Sequence, residues 1–330
     1  MATRTRTTSL SALAGLAATI ALLGAPSPAQ AQAWPAKPVR IIVPVLAGAF
    51  TDLGARSIAG ELSDQLGQQV LVENRTGGGG TIGADFVAKS APDGYTYLFT
   101  ENGFSMAPAL YPKLPYDPQR DFMPITPVAE APTIWVARMD FPAKNAREMV
   151  ELARAKPGEI TVGSGGQGTS SHLANELFLS QQGIKMLHVP FKGVVASFAE
   201  VVAGRVDLGV SSIASPMGHI RAGRVRAIAV TGKERSPLLP DVPTFAESGF
   251  PQYDMPIWFG LIGPAGLPPP VVTRLVQEVA RSIEKPKVRD MFLAQGARPT
   301  TSTPAEFGRR VEAEMRQWRE LIQKAGIKLD

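Results

Sequence analysis

The chain has no cysteine, only three histidines, and no long apolar run beyond its first 33 residues. The missing cysteine excludes disulfides, thiolate metal sites, a cysteine nucleophile and a lipid-bearing N-terminal cysteine. His172, His188 and His219 lack metal-ligand spacing, so no metal is expected. No Gly-Lys-Ser/Thr closes a glycine loop, which removes the P-loop reading, and there is no G-x-S-x-G elbow. The formal charge of +5 on 330 residues is mild. It does not call for nucleic acid, and it suits a protein that meets small anions.

What is present describes a globular chain. Apolar residues make up 44% and charged residues 19%, and the length allows two domains with real cores. The first 33 residues differ from the rest. Arg4 and Arg6 precede the apolar stretch Leu10 to Leu23, and small residues follow. This reads as an export signal cut after Ala31 or Ala33, with an apolar region too short to span a bilayer comfortably. Removing residues 1–33, which hold two arginines and no acids, lowers the formal charge from +5 to +3. The expected location is the periplasm, with secretion as the alternative.

Strand and helix patterns alternate along the remainder, which predicts α/β architecture with largely parallel sheets. Val39 to Val43 reads as a buried strand; Ala55, Ile58, Ala59, Leu62 and Leu66 then recur at helical spacing. Asn145 with Glu148, and Thr303 with Glu306, read as capping boxes that open helices. Residues 103–127 and 236–256 are rich in proline and show no period. They bracket a middle α/β block, the trace of a chain that leaves one domain, builds a second and returns. The expected layout is a bilobed α/β protein: residues 34–132 plus 257–330 as one lobe, 133–256 as the other, and a ligand cleft between. One large doubly wound domain is the alternative.

Three strand-to-helix turns carry glycine with hydroxyl residues: Pro44 to Asp52, Thr76 to Gly83, and Gly163 to His172. Ligands of open α/β sheets bind at such turns. Free N–H groups and the helix dipole favour an anion there, by roughly 0.3–2 kcal/mol per helix end. Gly163, Gly165 and Gly168 match a dinucleotide spacing, but the next strand ends in His188-Val-Pro with no acid for a ribose. Glu101 lies at about the right distance after Gly78, Gly80 and Gly83, but there the loop is separated from its strand. If Thr169 caps a helix, His172 stands in its first turn, where the dipole favours a neutral imidazole able to donate to an anion. Ser164, Ser170, Ser171, His172 and Asp207 also offer the parts of a secreted serine hydrolase, which stays open. Arg221, Arg224 and Arg226 read as a solvated face, and Trp258 and Trp318 as core.

Many phrases together resemble one family: Val72-Glu-Asn-Arg75, Ala91-Pro-Asp-Gly-Tyr95, Leu114-Pro-Tyr-Asp117, Gly163-Ser-Gly-Gly-Gln-Gly-Thr169 with His172-Leu173, His188-Val-Pro-Phe-Lys-Gly193, Leu239-Pro-Asp-Val-Pro-Thr244 and Gly263-Pro-Ala-Gly266. The chain resembles the Bug-type periplasmic receptors of tripartite tricarboxylate transporters from Trp34 to its C-terminus. The resemblance implies a monomeric, flytrap-like receptor without cofactor or catalysis. It would capture a small carboxylate and deliver it to a membrane permease of one large and one small subunit. A ligand-binding partner of a signalling receptor is the variant reading.

By the same resemblance, Gly48, Thr51 and Asp52 would hold the ligand from one lobe, and Ser164, Thr169, His172 and Asp207 from the other. The first loop departs from the family pattern, which usually has phenylalanine where Val45 stands, glycine where Ala49 stands, and a small residue or proline where Phe50 stands. Ser211 and Ser212 replace a stretch that often holds an aromatic and an acid. An uncharged, hydroxyl-rich wall is expected there.

Overall fold

The computed structural model describes Met1 and residues 34–111 and 113–325. The export-signal reading of residues 1–33 lies outside the described residues.

The chain first builds β1 (Val39–Val43), α1 (Phe50–Leu66), β2 (Val70–Asn74), α2 (Thr81–Ala88), β3 (Thr96–Glu101), α3 (Gly103–Leu110) and β4 (Phe122–Ala131). It continues through β5 (Thr133–Arg138), α4 (Ala146–Ala155), β6 (Thr161–Ser164), α5 (Ser170–Gln182), β7 (Leu187–Pro190), α6 (Val194–Val202), β8 (Leu208–Ser212), α7 (Met217–Arg221) and β9 (Val225–Val230). It closes with β10 (Ile257–Pro264), α8 (Pro269–Glu284), α9 (Pro286–Ala294), β11 (Arg298–Pro299) and α10 (Pro304–Ala325).

These strands form two sheets, in the orders β11-β4-β10-β3-β1-β2 and β7-β6-β8-β5-β9. The molecule is a bilobed α/β protein. Both sheets are mixed, which corrects the expectation of largely parallel ones. β1, β2 and β3 are mutually parallel, as are β6, β7 and β8, but β10 runs against β3 and β4, and β5 against β8 and β9. The crossings explain this. The parallel strands point their carboxyl ends at the space between the sheets. β5 and β10 are the strands by which the chain enters each sheet from that space, so they run the opposite way. Pro132 alone separates β4 from β5.

Alternation sets the faces. Ile41 and Val43 pack with the buried residues of α1, α8 and α9, whereas Ile42 packs with Trp258, Phe307 and Val311 on the other side. In the second sheet Trp135 and Ala137 face α4 and α5, and Ile134 and Val136 face Phe198 and Val201 of α6. Trp135 Nε1 donates to Tyr253 Oη at 2.9 Å, which donates to the Ala174 carbonyl at 3.0 Å, so the buried indole is satisfied. Trp258 and Trp318 are core, as read from sequence.

The capping boxes form. Glu148 N–H donates to Asn145 Oδ1 at 3.0 Å, and Glu306 N–H to Thr303 Oγ1 at 3.2 Å. Two sequence readings change. Residues 103–127 are not aperiodic throughout: Gly103–Leu110 is helical despite Pro108, and Phe122–Ala131 is a ten-residue strand. Arg226 is not simply solvated; it donates to the Met139, Phe141 and Ala143 carbonyls at 3.0, 2.6 and 2.7 Å. The core beneath the second sheet also takes in Met106 and Leu110 of α3 and Trp318 and Ile322 of α10. Those two helices therefore reach from the first lobe to the second.

Candidate ligand cleft

The carboxyl ends of β1 and β3 face those of β6, β7 and β8 across a cavity with about 490 Å³ of empty space. Val45, Leu46, Phe50, Val194, Val195 and Phe259 give it an apolar sector. Thr51, Thr169, Ser170, Ser171, Ser211 and Ser212 supply hydroxyls. Among the described lining residues there is no lysine, arginine or histidine, and Glu101 is the single charged side chain.

The first loop is stapled from behind. Asp52, buried at the start of α1, accepts from Gly48 N–H at 3.1 Å, Arg56 Nε at 3.0 Å and Asn74 Nδ2 at 2.9 Å. Asn74 also donates to the Val45 carbonyl at 3.0 Å. Burial alone would raise the Asp52 carboxyl; the bonds from Arg56, Asn74 and Gly48 outweigh it and hold the group below its ordinary value. Gly48 has φ +91°, a conformation that L side chains rarely adopt. The staple turns Thr51 and Phe50 into the cavity wall. Phe50 meets Phe259 edge-on at 4.5 Å between centroids, and this pair forms the aromatic floor.

The second loop is built on Thr169, which caps α5: its Oγ1 accepts from His172 N–H at 3.4 Å and donates to the Gly166 carbonyl at 2.7 Å. Ser171 Oγ lies 2.9 Å from Thr169 Oγ1 and accepts from Gly165 N–H at 2.8 Å. These hydroxyls stand at the N-terminus of α5, where the helix dipole favours an anion.

His172 lies beneath this loop rather than in the cavity. Its Nδ1 accepts from Gly168 N–H at 3.3 Å, and its ring stacks on His188 with centroids 4.2 Å apart. Burial, with His188 nearby, pushes His172 down to about 3, so the imidazole is neutral, as its helix position predicted. With Nδ1 accepting from the loop, the neutral ring carries its N–H on Nε2, which lies 3.9 Å from Glu176 Oε1. Burial likewise pushes His188 down to about 4. Ser164 is buried with its Oγ 2.6 Å from His188 Nε2, while Gly166 N–H donates to the same oxygen at 3.1 Å.

Of the seven residues singled out by resemblance, Thr51 and Thr169 line the cavity. Gly48, Asp52, Ser164 and His172 hold the two loops from behind. Asp207 stands apart. It precedes β8 at the end opposite Ser211 and Ser212, about 13 Å away along the strand. There it accepts from Arg138 Nε, Thr161 N–H and Thr161 Oγ1, each at 2.9 Å. It ties β5, β6 and β8 together and does not face the cleft. Glu101, Ser170 and Ser171 are among the polar lining residues that the resemblance did not supply. The sequence signal for Glu101 was an acid ending the apolar strand Thr96–Glu101, level with the glycine turns.

The lobes touch across the cleft. Ser170 Oγ donates to Glu101 Oε1 at 2.6 Å, and Tyr111 Oη to the Gln167 carbonyl at 3.3 Å.

Residues 54–327 match the tripartite tricarboxylate transporter family receptor. Among solved structures, the periplasmic binding protein BugD is 37% identical, with a TM-score of 0.85, covering 89% of this chain and 99% of that one. An R. palustris protein with adipate is 33% identical, with a TM-score of 0.85 over 89% of this chain and 99% of that one. MatC from Rhodopseudomonas palustris with bound malate is 33% identical, with a TM-score of 0.84 over 88% and 100%.

Proposed function

The chain belongs to the receptors of the tripartite tricarboxylate transporter family, and from that membership we propose that it captures a small carboxylate in the periplasm and hands it to a two-subunit membrane permease. The observation that carries the carboxylate is the start of α5. Thr169, Ser170 and Ser171 surround a helix N-terminus that opens into a cavity between two lobes. A helix N-terminus with hydroxyls that can turn towards a ligand can take a carboxylate there without an arginine clamp. The similarity to proteins with adipate and malate supports the same class of ligand.

The two lobes are residues 34–132 with 257–330, and 133–256. Thr51 and Thr169 touch the ligand directly. Gly48, Asp52, Ser164 and His172 act through the loops they hold. Closure of the lobes removes water and strengthens each hydrogen bond to the anion, and the ligand favours the closed state by the contacts it makes only there. Residues 1–33 direct export and are removed, and the mature protein works as a monomer.

Ser164 and His188 have the spacing of a nucleophile and its base. Against catalysis, Ser164 is fully buried and its oxygen is already engaged with Gly166 N–H, so no substrate carbonyl can approach it. The role is a receptor's, and ester turnover should be absent.

Calorimetric titration of the mature chain with mono-, di- and tricarboxylates tests the proposal. At least one acid should bind, and Thr169→Ala and Ser171→Ala should each weaken it about tenfold, equivalent to about 1.4 kcal/mol. Binding of none of them, or an affinity untouched by both substitutions, would overturn it.

A further inference from the structure

Glu101 closes β3 in the first lobe, and its Oε1 accepts from Ser170 Oγ of the second lobe at 2.6 Å. It lines the cavity beside the start of α5, and no cation pairs with it among the described residues. Ser170 is its single hydrogen-bonding neighbour among them. Ser170 donates through its hydroxyl and its backbone N–H, and a carboxylate has sites for further donors. A plain carboxylate bound at α5 would bring a second negative charge next to this one in a partly dehydrated space, where like charges repel strongly. The serine wall opposite is already paired internally: Ser211 Oγ donates to Ser215 Oγ at 3.2 Å, and Ser212 Oγ lies 3.4 Å from it. It holds no positive charge to set against Glu101.

A ligand can remove the conflict itself. A hydroxyl or ammonium group close to its carboxylate would donate to Glu101, while the carboxylate lies at the N-terminus of α5. Each charge on the ligand then meets its complement, and the apolar sector around Phe50 and Phe259 receives the remaining carbon skeleton. Recognition by a buried acceptor is also selective, because a ligand without the donor leaves that acceptor unpaired.

We propose that Glu101 is a specificity-determining residue, which makes the cleft select carboxylates bearing a hydrogen-bond-donating substituent, hydroxyl or ammonium, next to the acid group. This rests on the carboxylate reading above. Burial pushes the Glu101 carboxyl up and the bonds from Ser170 oppose it, in keeping with a carboxyl group that has no cationic partner among the described residues.

The test uses two matched triads, succinate, malate and aspartate, and 3-phenylpropionate, 3-phenyllactate and phenylalanine, titrated into the mature chain by calorimetry. Within the triad that binds, the hydroxy or amino member should bind at least tenfold more tightly than the unsubstituted one, and the comparison of those two members tells hydroxyl from ammonium. Glu101→Gln should reduce the preference to within about threefold, chiefly by improving the unsubstituted acid, and Glu101→Asp should retain part of it. Equal binding of the unsubstituted acid to the unaltered chain would overturn the proposal, as would its tight binding with uptake of one proton. A preference unchanged in Glu101→Gln, or loss of all binding in a Glu101→Gln protein with native circular dichroism, would overturn it too. If no acid of either triad or of the wider panel binds the unaltered chain, the carboxylate reading itself fails, which is a different result.

Discussion

His172 of α5 and His188 of β7 stack with ring centroids 4.2 Å apart, beneath the loop that opens the cleft. Burial holds them at about 3 and about 4, against 6.5 in an unfolded chain. Below pH 6.5 the unfolded chain therefore takes up protons that the folded one refuses. The stability present above pH 6.5 is lost as the pH falls towards 4, by up to about 1.4 kcal/mol per pH unit for each histidine. The thermal midpoint should drop between pH 7 and pH 4.5. His188→Gln, which can keep a hydrogen bond to Ser164, should flatten that drop; an unchanged slope would mean that the pair does not control it.

Asp52 concerns the opposite wall. Its carboxylate satisfies Gly48 N–H, Arg56 and Asn74 together. Asp52→Ala leaves those donors without their acceptor at a buried position and should cost about 1–3 kcal/mol. The loop carrying Val45 and Leu46 then loses its anchor, so ligand affinity should fall along with the thermal midpoint. Calorimetry and thermal unfolding on the same variant read the two effects separately.

Much of this arrangement was legible in the sequence where the signal is local. Asn145 with Glu148, Thr303 with Glu306, and Thr169 as the cap of α5 need only neighbours three residues away. The mixed direction of the sheets was not legible, because β5 and β10 differ from parallel strands only in the side from which they enter. The helix Gly103–Leu110 was hidden by Pro108 and by a face buried almost all round, which leaves no polar stripe to mark a period. In the cleft, residue type pointed to the right loops but not to side-chain direction. His172 turns into its own loop and Asp207 lies at the far end of β8, and both outcomes depend on contacts with residues distant in the chain, Arg138 and His188 among them.

Asp207 gives a prediction that separates stability from binding. Its carboxylate joins Arg138 of β5 to Thr161 of β6, and those bonds outweigh burial to keep its carboxyl below the ordinary value. Asp207→Ala should lower stability by about 1–3 kcal/mol through the stranded donors. Ligand affinity, measured by calorimetry well below the unfolding temperature, should stay within about twofold of the unaltered protein. A tenfold loss of affinity in a folded variant would return Asp207 to the ligand site.

Gly168 tests closure of the lobes. It has φ +78°, and an added Cβ would stand 2.5 Å from Tyr111 Oη and 3.0 Å from ring carbons of the same tyrosine. Two costs would follow from Gly168→Ala. The left-handed backbone costs about 1–2 kcal/mol in any state of the protein. The clash arises only where Tyr111 reaches over from the first lobe, so it penalises the closed form selectively. Affinity depends on how easily that form is reached. Gly168→Ala should therefore weaken ligand binding at least tenfold while lowering the thermal midpoint of the empty protein by only a few degrees. Adding Tyr111→Ala removes the clash and leaves the backbone strain, so part of the lost affinity should return. If the double variant binds no better than Gly168→Ala alone, the contact between Tyr111 and Gly168 does not govern closure.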